Sequence, residues 1–223
     1  IQAERTDVDT DAMDHFPPQL TEVTAPPAEH RAEIRGTVSL LTEHTAPFGI
    51  EAPIRFAPTR NPNPARFVRT YSFVSLAQDT PYAELLGHTA GSPTWSDAVW
   101  THYTEGPDDP RYAELAERLI AELPPDVQDD PFARALKIKL HLDENMRYTR
   151  SARHDDAPDP TADFLFGDLT GYCVHSAHAA VYLWRSVGLP ARIGTGYLVE
   201  EADRRGSALM VMNDAAHAWP EVY

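Results

Sequence analysis

The chain holds a single cysteine, Cys173, so no intrachain disulfide can form and the redox compartment cannot be read from pairing. Lysine is nearly absent. Only Lys137 and Lys139 occur, the other basic side chains being arginines, a compositional bias from which no function follows. Basic residues are scarce overall, with 19 Lys and Arg against 34 Asp and Glu, and the formal charge of −15 argues against nucleic acid or an anionic membrane surface as a partner. No apolar run approaches the roughly 18 residues that a membrane span needs. There is no signal-peptide pattern, and the chain opens on Ile1 and stops at Tyr223 inside an apolar, strand-like run. Both ends are those expected of a processed or excised piece of something longer. What is present is ordinary globular composition, 42% hydrophobic and 24% charged, in a length that allows one large domain or two small ones.

Residues 1–33 carry many acids and the prolines Pro17, Pro18, Pro26 and Pro27, which reads as an extended linker segment. Residues 34–106 have a β-rich texture. Ile34, Gly36, Val38 and Leu40 alternate with their neighbours, a second strand-like piece runs from Ile50 to Phe56, and 58–64 is a hairpin-like loop. Phe67 to Leu76 is apolar on both faces over part of its length, as an inner strand of a sandwich or barrel would be. Gly106 to Pro110 is the candidate boundary. Beyond it, Tyr112, Leu115, Leu119 and Leu123 mark a helix stopped by Pro124 and Pro125. Asp130 and Pro131 cap and open a second helix, with Phe132, Ala135, Leu136, Leu142 and Met146 at helical spacing and Tyr148 and Thr149 closing it. Residues 151–163 read as a polar loop. Its Asp155, Asp156, Asp159 and Asp163 are of the type that holds calcium, at a spacing that fits no known calcium loop.

The next stretch, GYCVHSAHAAVYLWRSV from Gly171 to Val187, is the one the rest of the chain positions. Turn-forming Gly167, Asp168, Thr170 and Gly171 precede it, Val174, Ala177, Val181 and Trp184 repeat at three- and four-residue steps, and Gly188 and Pro190 end it. Cys173 therefore falls in the first turn of a half-buried helix, where unpaired N–H groups and the positive end of the dipole favour a thiolate. By composition a lone cysteine is a small buried hydrophobe; by position this one is a nucleophile. After the helix, Ala191–Val199 and Ala208–Met212 read as strands. In the last strand, His217, Trp219, Glu221 and Tyr223 share one face. A cysteine at a helix start with a histidine on a later strand is the pairing that thiol acyltransferases and thiol proteases use, the histidine moving the thiol proton.

These pieces carry a family resemblance. The Gly-x-Cys opening at 171–173, Leu-Pro-Ala-Arg at 189–192, Gly196-Tyr197 and His217-Ala218-Trp219 occur in the order seen in the transglutaminase-like superfamily, and Arg147-Tyr148-Thr149 fits its lead-in. The resemblance covers 107–223 and is nearest to bacterial membrane-anchored members whose transglutaminase-like domain lies outside the cytoplasm. It implies an α+β fold, a papain-like core of helices packed on an antiparallel sheet after a small β-rich domain. It implies that Cys173 is the nucleophile, that His217 is the general base and that Tyr148 is the side-chain oxyanion donor beside the Cys173 N–H. An orienting aspartate is expected about fifteen residues beyond His217, past Tyr223, so this stretch by itself is expected to be weakly active or inactive. The implied chemistry is acyl transfer on a protein or peptide glutamine. A cysteine peptidase or amidase, or a non-catalytic protein-binding domain, are the alternatives.

No cofactor is implied. His175 and His178, three apart on the Cys173 helix, with His141 or His154 approaching, make zinc conceivable, but no fourth ligand stands at a telling spacing, and no metal is assigned. Pro220 inside the histidine strand removes a ladder donor and belongs at a sheet edge. His175 and Ser176 depart from the acid and the large apolar residue that many relatives carry there.

Overall fold

The computed structural model describes residues 2–5, 21–22, 30–44 and 46–223. The chain divides into two compact units, Ile1–Thr80 with Thr195–His217, and Pro81–Gly194 with Ala218–Tyr223. The first unit takes in a second, later stretch. Most of the extended linker segment expected at 1–33 lies outside the described residues; within it Gln2–Arg5 (β1) and Thr21–Glu22 (β2) are strands.

In the first unit, Arg31–Leu40 (β3), Pro53–Pro58 (β5) and Arg69–Gln78 (β6) join β2 in an antiparallel sheet of order β2-β5-β6-β3. The register of β3 with β6 is unbroken from Arg31↔Gln78 to Leu40↔Arg69, and β6 is an inner strand, as its two apolar faces foretold. Gly36 faces Phe73 across that ladder, and a Cβ there would lie 2.4 Å from the ring, so only glycine lets the ring lie over the strand. The piece expected as one strand from Ile50 to Phe56 is two, Phe48–Ile50 (β4) and β5. Ala52, at φ 47°, breaks the chain between them. Leu40, Phe48, Phe56, Tyr71 and Phe73 form the core. The Tyr71 hydroxyl donates to the Phe48 carbonyl and accepts its N–H, each at 2.9 Å, which fixes β4. Strand β1 lies antiparallel between β4 and the end of Ala191–Leu198 (β9), with Ala3↔Ile50 and Ala3↔Tyr197. The strand expected at 208–212 is only Ala208–Leu209 (β11), paired with Arg204–Arg205 (β10).

The second unit is helical, with Asp97–Thr104 (α1), Pro110–Ala121 (α2), Pro131–Asn145 (α3), Pro160–Phe166 (α4) and Cys173–Ser186 (α5). Three of these open on an Asp-Pro pair. The aspartate side chain takes orphan N–H groups of the first turn while proline fills a position that needs no donor. At α4, Asp159 accepts from Thr161 at 3.0 Å and Ala162 at 2.9 Å, and also from the Tyr112 hydroxyl at 3.2 Å, tying α4 to α2. This helix occupies part of the stretch expected to be loop.

Helix α5 lies against α2, α3 and α4. Its Ala179, Ala180, Val181, Leu183 and Trp184 meet Leu115, Leu119, Ile138, Leu142 and Phe164 in one core, and Ile193 and Val222 pack on it from the strands. The Trp184 Nε1–H donates to the Ala135 carbonyl at 3.1 Å, and Gly188, at φ 78°, ends the helix as expected. The first residues of β9 run beside Ala216–Val222 (β12), an edge strand, which is where Pro220 can be tolerated.

Candidate active site

Cys173 is the first residue of α5 and is partly exposed, neither walled into the core nor fully in water. The residue before it, Tyr172, has its backbone N–H taken by Nδ1 of His175 at 3.2 Å, the reciprocal arm of a capping box. That bond fixes the His175 tautomer with its proton on Nε2. Burial, and then the neighbouring His154, hold His175 below the ordinary histidine pKa, so it is neutral. Gly171 lies flat against this ring. A Cβ there would come within 2.8 Å of Phe164 and 2.9 Å of His175 Nδ1.

Tyr148 reaches this site by strand pairing. The helix expected to run on to Tyr148 stops at Asn145, and Arg147–Tyr148 (β7) lies parallel to Thr170–Gly171 (β8), with Arg147↔Thr170 and Tyr148↔Gly171. The Arg147 N–H donates to Leu169 and the Thr149 N–H to Gly171. Tyr148 is thereby set opposite the residue two before the nucleophile. Its pKa is raised first by burial and then by the neighbouring Cys173, so the phenol remains a proton donor beside the thiol. A donor hydroxyl and a helix N-terminal N–H converging beside a thiol are the parts of an oxyanion hole.

On the side of β8 away from β7, side chains hold the backbone. Leu169 sits at φ 52°, a conformation costing a non-glycine residue about 1 kcal/mol. Asp168 Oδ1 accepts the Thr170 N–H at 2.9 Å, and His154 Nε2 donates to the Thr170 carbonyl at 2.9 Å. The other ring nitrogen of His154 lies 2.7 Å from Asp163 Oδ2. Both partners are acceptors, so both nitrogens carry protons. The Asp163 carboxylate and then the Thr170 carbonyl raise the pKa of this buried ring accordingly. A doubly protonated ring has no lone pair for a metal.

The structure thus brings Cys173 and Tyr148 together. His217 stands on β12, its pKa lowered by burial, and so neutral at neutral pH. Just past it, the Trp219 Nε1–H donates to Glu221 Oε1 at 2.7 Å, and Glu221 Oε2 accepts from Arg192 at 2.6 Å. Of the acids weighed for calcium, Asp159 caps α4 and Asp163 holds His154. His178 turns its Nδ1–H to the Val174 carbonyl. Among the described residues, no three His, Cys, Asp or Glu side chains gather in a way that would hold a metal ion.

Residues 115–223 match the model of the transglutaminase-like superfamily. The fold is the α+β, papain-like one that the family shares, and the superfamily includes cysteine acyltransferases and peptidases. Among particular relatives, a protein-glutamine gamma-glutamyltransferase of Pseudomonas aeruginosa is 40% identical over 65 residues, 29% of this chain and 10% of that protein. The Bacillus subtilis uncharacterized protein YebA is 33% identical over 138 residues, 58% of this chain and 18% of that one. The chain therefore spans less than a fifth of the length of either. The periplasmic domain of TgpA from Pseudomonas aeruginosa superposes with a TM-score of 0.58 at 19% identity, over 91% of this chain and 70% of that domain. Its ethylmercury-bound form gives 0.56 at 21%, over 92% and 70%.

Proposed function

We propose that this chain is the catalytic region of a thiol acyltransferase acting on glutamine side chains of a protein or peptide. The observation that carries the reading is Tyr148 meeting Cys173 at the start of α5, where a thiol, an N–H and a phenol converge. In this reading the Cys173 sulfur attacks the amide carbonyl and the C–S bond forms. The oxygen takes negative charge beside the Cys173 N–H and the Tyr148 hydroxyl. His217, assigned by its place in the His-Ala-Trp motif, accepts the thiol proton and returns it to the departing nitrogen, so ammonia leaves as the C–N bond breaks. An amine then opens the thioester and gives a cross-link. Water in its place gives deamidation.

The rest of the assignment is supported by likeness. The periplasmic domain among the similar folds supports an extracytoplasmic catalytic region in a membrane-anchored parent; among the described residues no helix is long and apolar enough to cross a membrane. The β-rich segment, 34–106, orients the partner or spaces the core. The test is to incubate the intact protein with a glutamine peptide and a fluorescent primary amine, beside Cys173→Ala. Amine incorporation lost in the variant is expected. Peptide cleavage without incorporation would replace the reading with a peptidase, and absence of both would leave a binding domain.

A further inference from the structure

The residue that sequence left as a conceivable zinc ligand, His154, has another place in the site. Its ring is buried and bridges two elements, donating from Nδ1 to Asp163 on α4 and from Nε2 to the Thr170 carbonyl on β8, three residues ahead of the nucleophile. Thr170 follows the left-handed Leu169, a backbone that stays put only if its surroundings hold it. Sheet pairing with β7 does not engage the Thr170 carbonyl. Its N–H goes to Asp168 and its carbonyl to His154, so among the described residues side chains secure that edge.

We propose that His154, as an imidazolium, is a positioning residue for Cys173: it clamps β8 to α4 and so keeps Tyr148 and the first turn of α5 in register. Deprotonation removes one of the two donors, and the ring can then satisfy only one of Asp163 and Thr170. The titratable groups that face it are Asp163 from α4, Asp168 from the turn before β8 and His175 from α5, whose ring centroid lies 4.7 Å away. The two carboxylates favour the charged ring. His175 is neutral and donates no competing charge. The His154 pKa is raised, so the clamp is complete below the ordinary histidine value of 6.5 and opens as pH climbs through the folded-state value.

The proposal rests on Cys173 being the reactive group, and its test needs no acyl transfer. The rate of iodoacetamide alkylation of Cys173 is measured against pH in the intact protein, in His154→Gln and in Asp163→Asn, with thermal unfolding alongside. Below pH 6.5 the wild type should react about tenfold faster than His154→Gln, the effect of one lost charge-assisted hydrogen bond, with the ratio falling toward one at alkaline pH. In Asp163→Asn the same fall should move to lower pH, because the ring has lost its carboxylate. A ratio that does not change with pH, or a fall that Asp163→Asn leaves in place, overturns the clamp. Should His154→Gln not fold, Asp163→Asn against wild type makes the same comparison. The ring 15N shifts of His154 supply a further check, since a ring that loses its second proton no higher than an ordinary histidine also overturns it. Failure of amine incorporation with these profiles intact would sink the acyltransferase reading and leave the clamp standing.

Discussion

Tyr148 lies directly opposite Gly171 in a two-residue parallel ladder, and that pairing sets it beside Cys173. The contact is made by an exposed side chain, so its loss should affect chemistry and not stability. Tyr148→Phe keeps the ring and removes the hydroxyl. Amine incorporation is expected to drop about 10²-fold, the effect of one oxyanion donor, with the unfolding midpoint unchanged. An unchanged rate would remove Tyr148 from the site.

Gly171→Ala places a methyl group where Phe164 and His175 already stand at 2.8 and 2.9 Å. Neither is the free end of a flexible chain. The substitution should cost about 1–3 kcal/mol and slow Cys173 alkylation, since the His175 bond to the Tyr172 N–H is the one pushed aside. Denaturant unfolding together with alkylation rates checks both effects.

Asp159→Ala removes the cap of α4 and the acceptor for the Tyr112 hydroxyl at once. A loss of about 2–3 kcal/mol in chemical denaturation is expected, combining a cap with a half-buried hydrogen bond. Leu183→Ala, at a fully buried position of α5, should cost about 3 kcal/mol. Near-neutral values for either would mean that the second unit is held together elsewhere.

Stability should depend on pH from both sides. The folded-state pKa of His154 is raised, so its contribution is full below the ordinary value of 6.5 and is lost as pH rises through the folded value. His175 and His217 are lowered by burial, so the unfolded chain binds their protons more readily and stability falls as pH drops below 6.5. Thermal unfolding across that range should show a maximum, and Asp163→Asn should erode its alkaline shoulder.

Much of this was legible in the sequence because local signals and burial agree. Asp130-Pro131 with its apolar spacing announces α3, and Gly188 and Pro190 close α5 where they should. The same Asp-Pro signal stands at 159–160, but Gly167 follows after only seven residues, too few for a period to show, and α4 reads as loop. Helix α1 buries no side chain, so no apolar stripe marks it. Ala52 breaks a strand with a positive φ that its side chain does not advertise. Cys173 was legible from the turn before it and the stripe behind it. Tyr148 was known only by resemblance, because a two-residue parallel strand has no pattern of its own. The role of His154 depends on Asp163 and Thr170 arriving from separate elements, and no spacing rule relates the three.

Gly194 carries a consequence of a different kind. A Cβ at that position would come within 2.5 Å of the Trp219 indole nitrogen, the atom that grips Glu221. Even alanine would therefore displace the indole and crowd the Glu221 oxygen it holds, 2.8 Å from the added carbon. Any library built to retune the histidine-bearing strand has to leave this unreactive neighbour as it is, or it will score structural casualties as lost specificity.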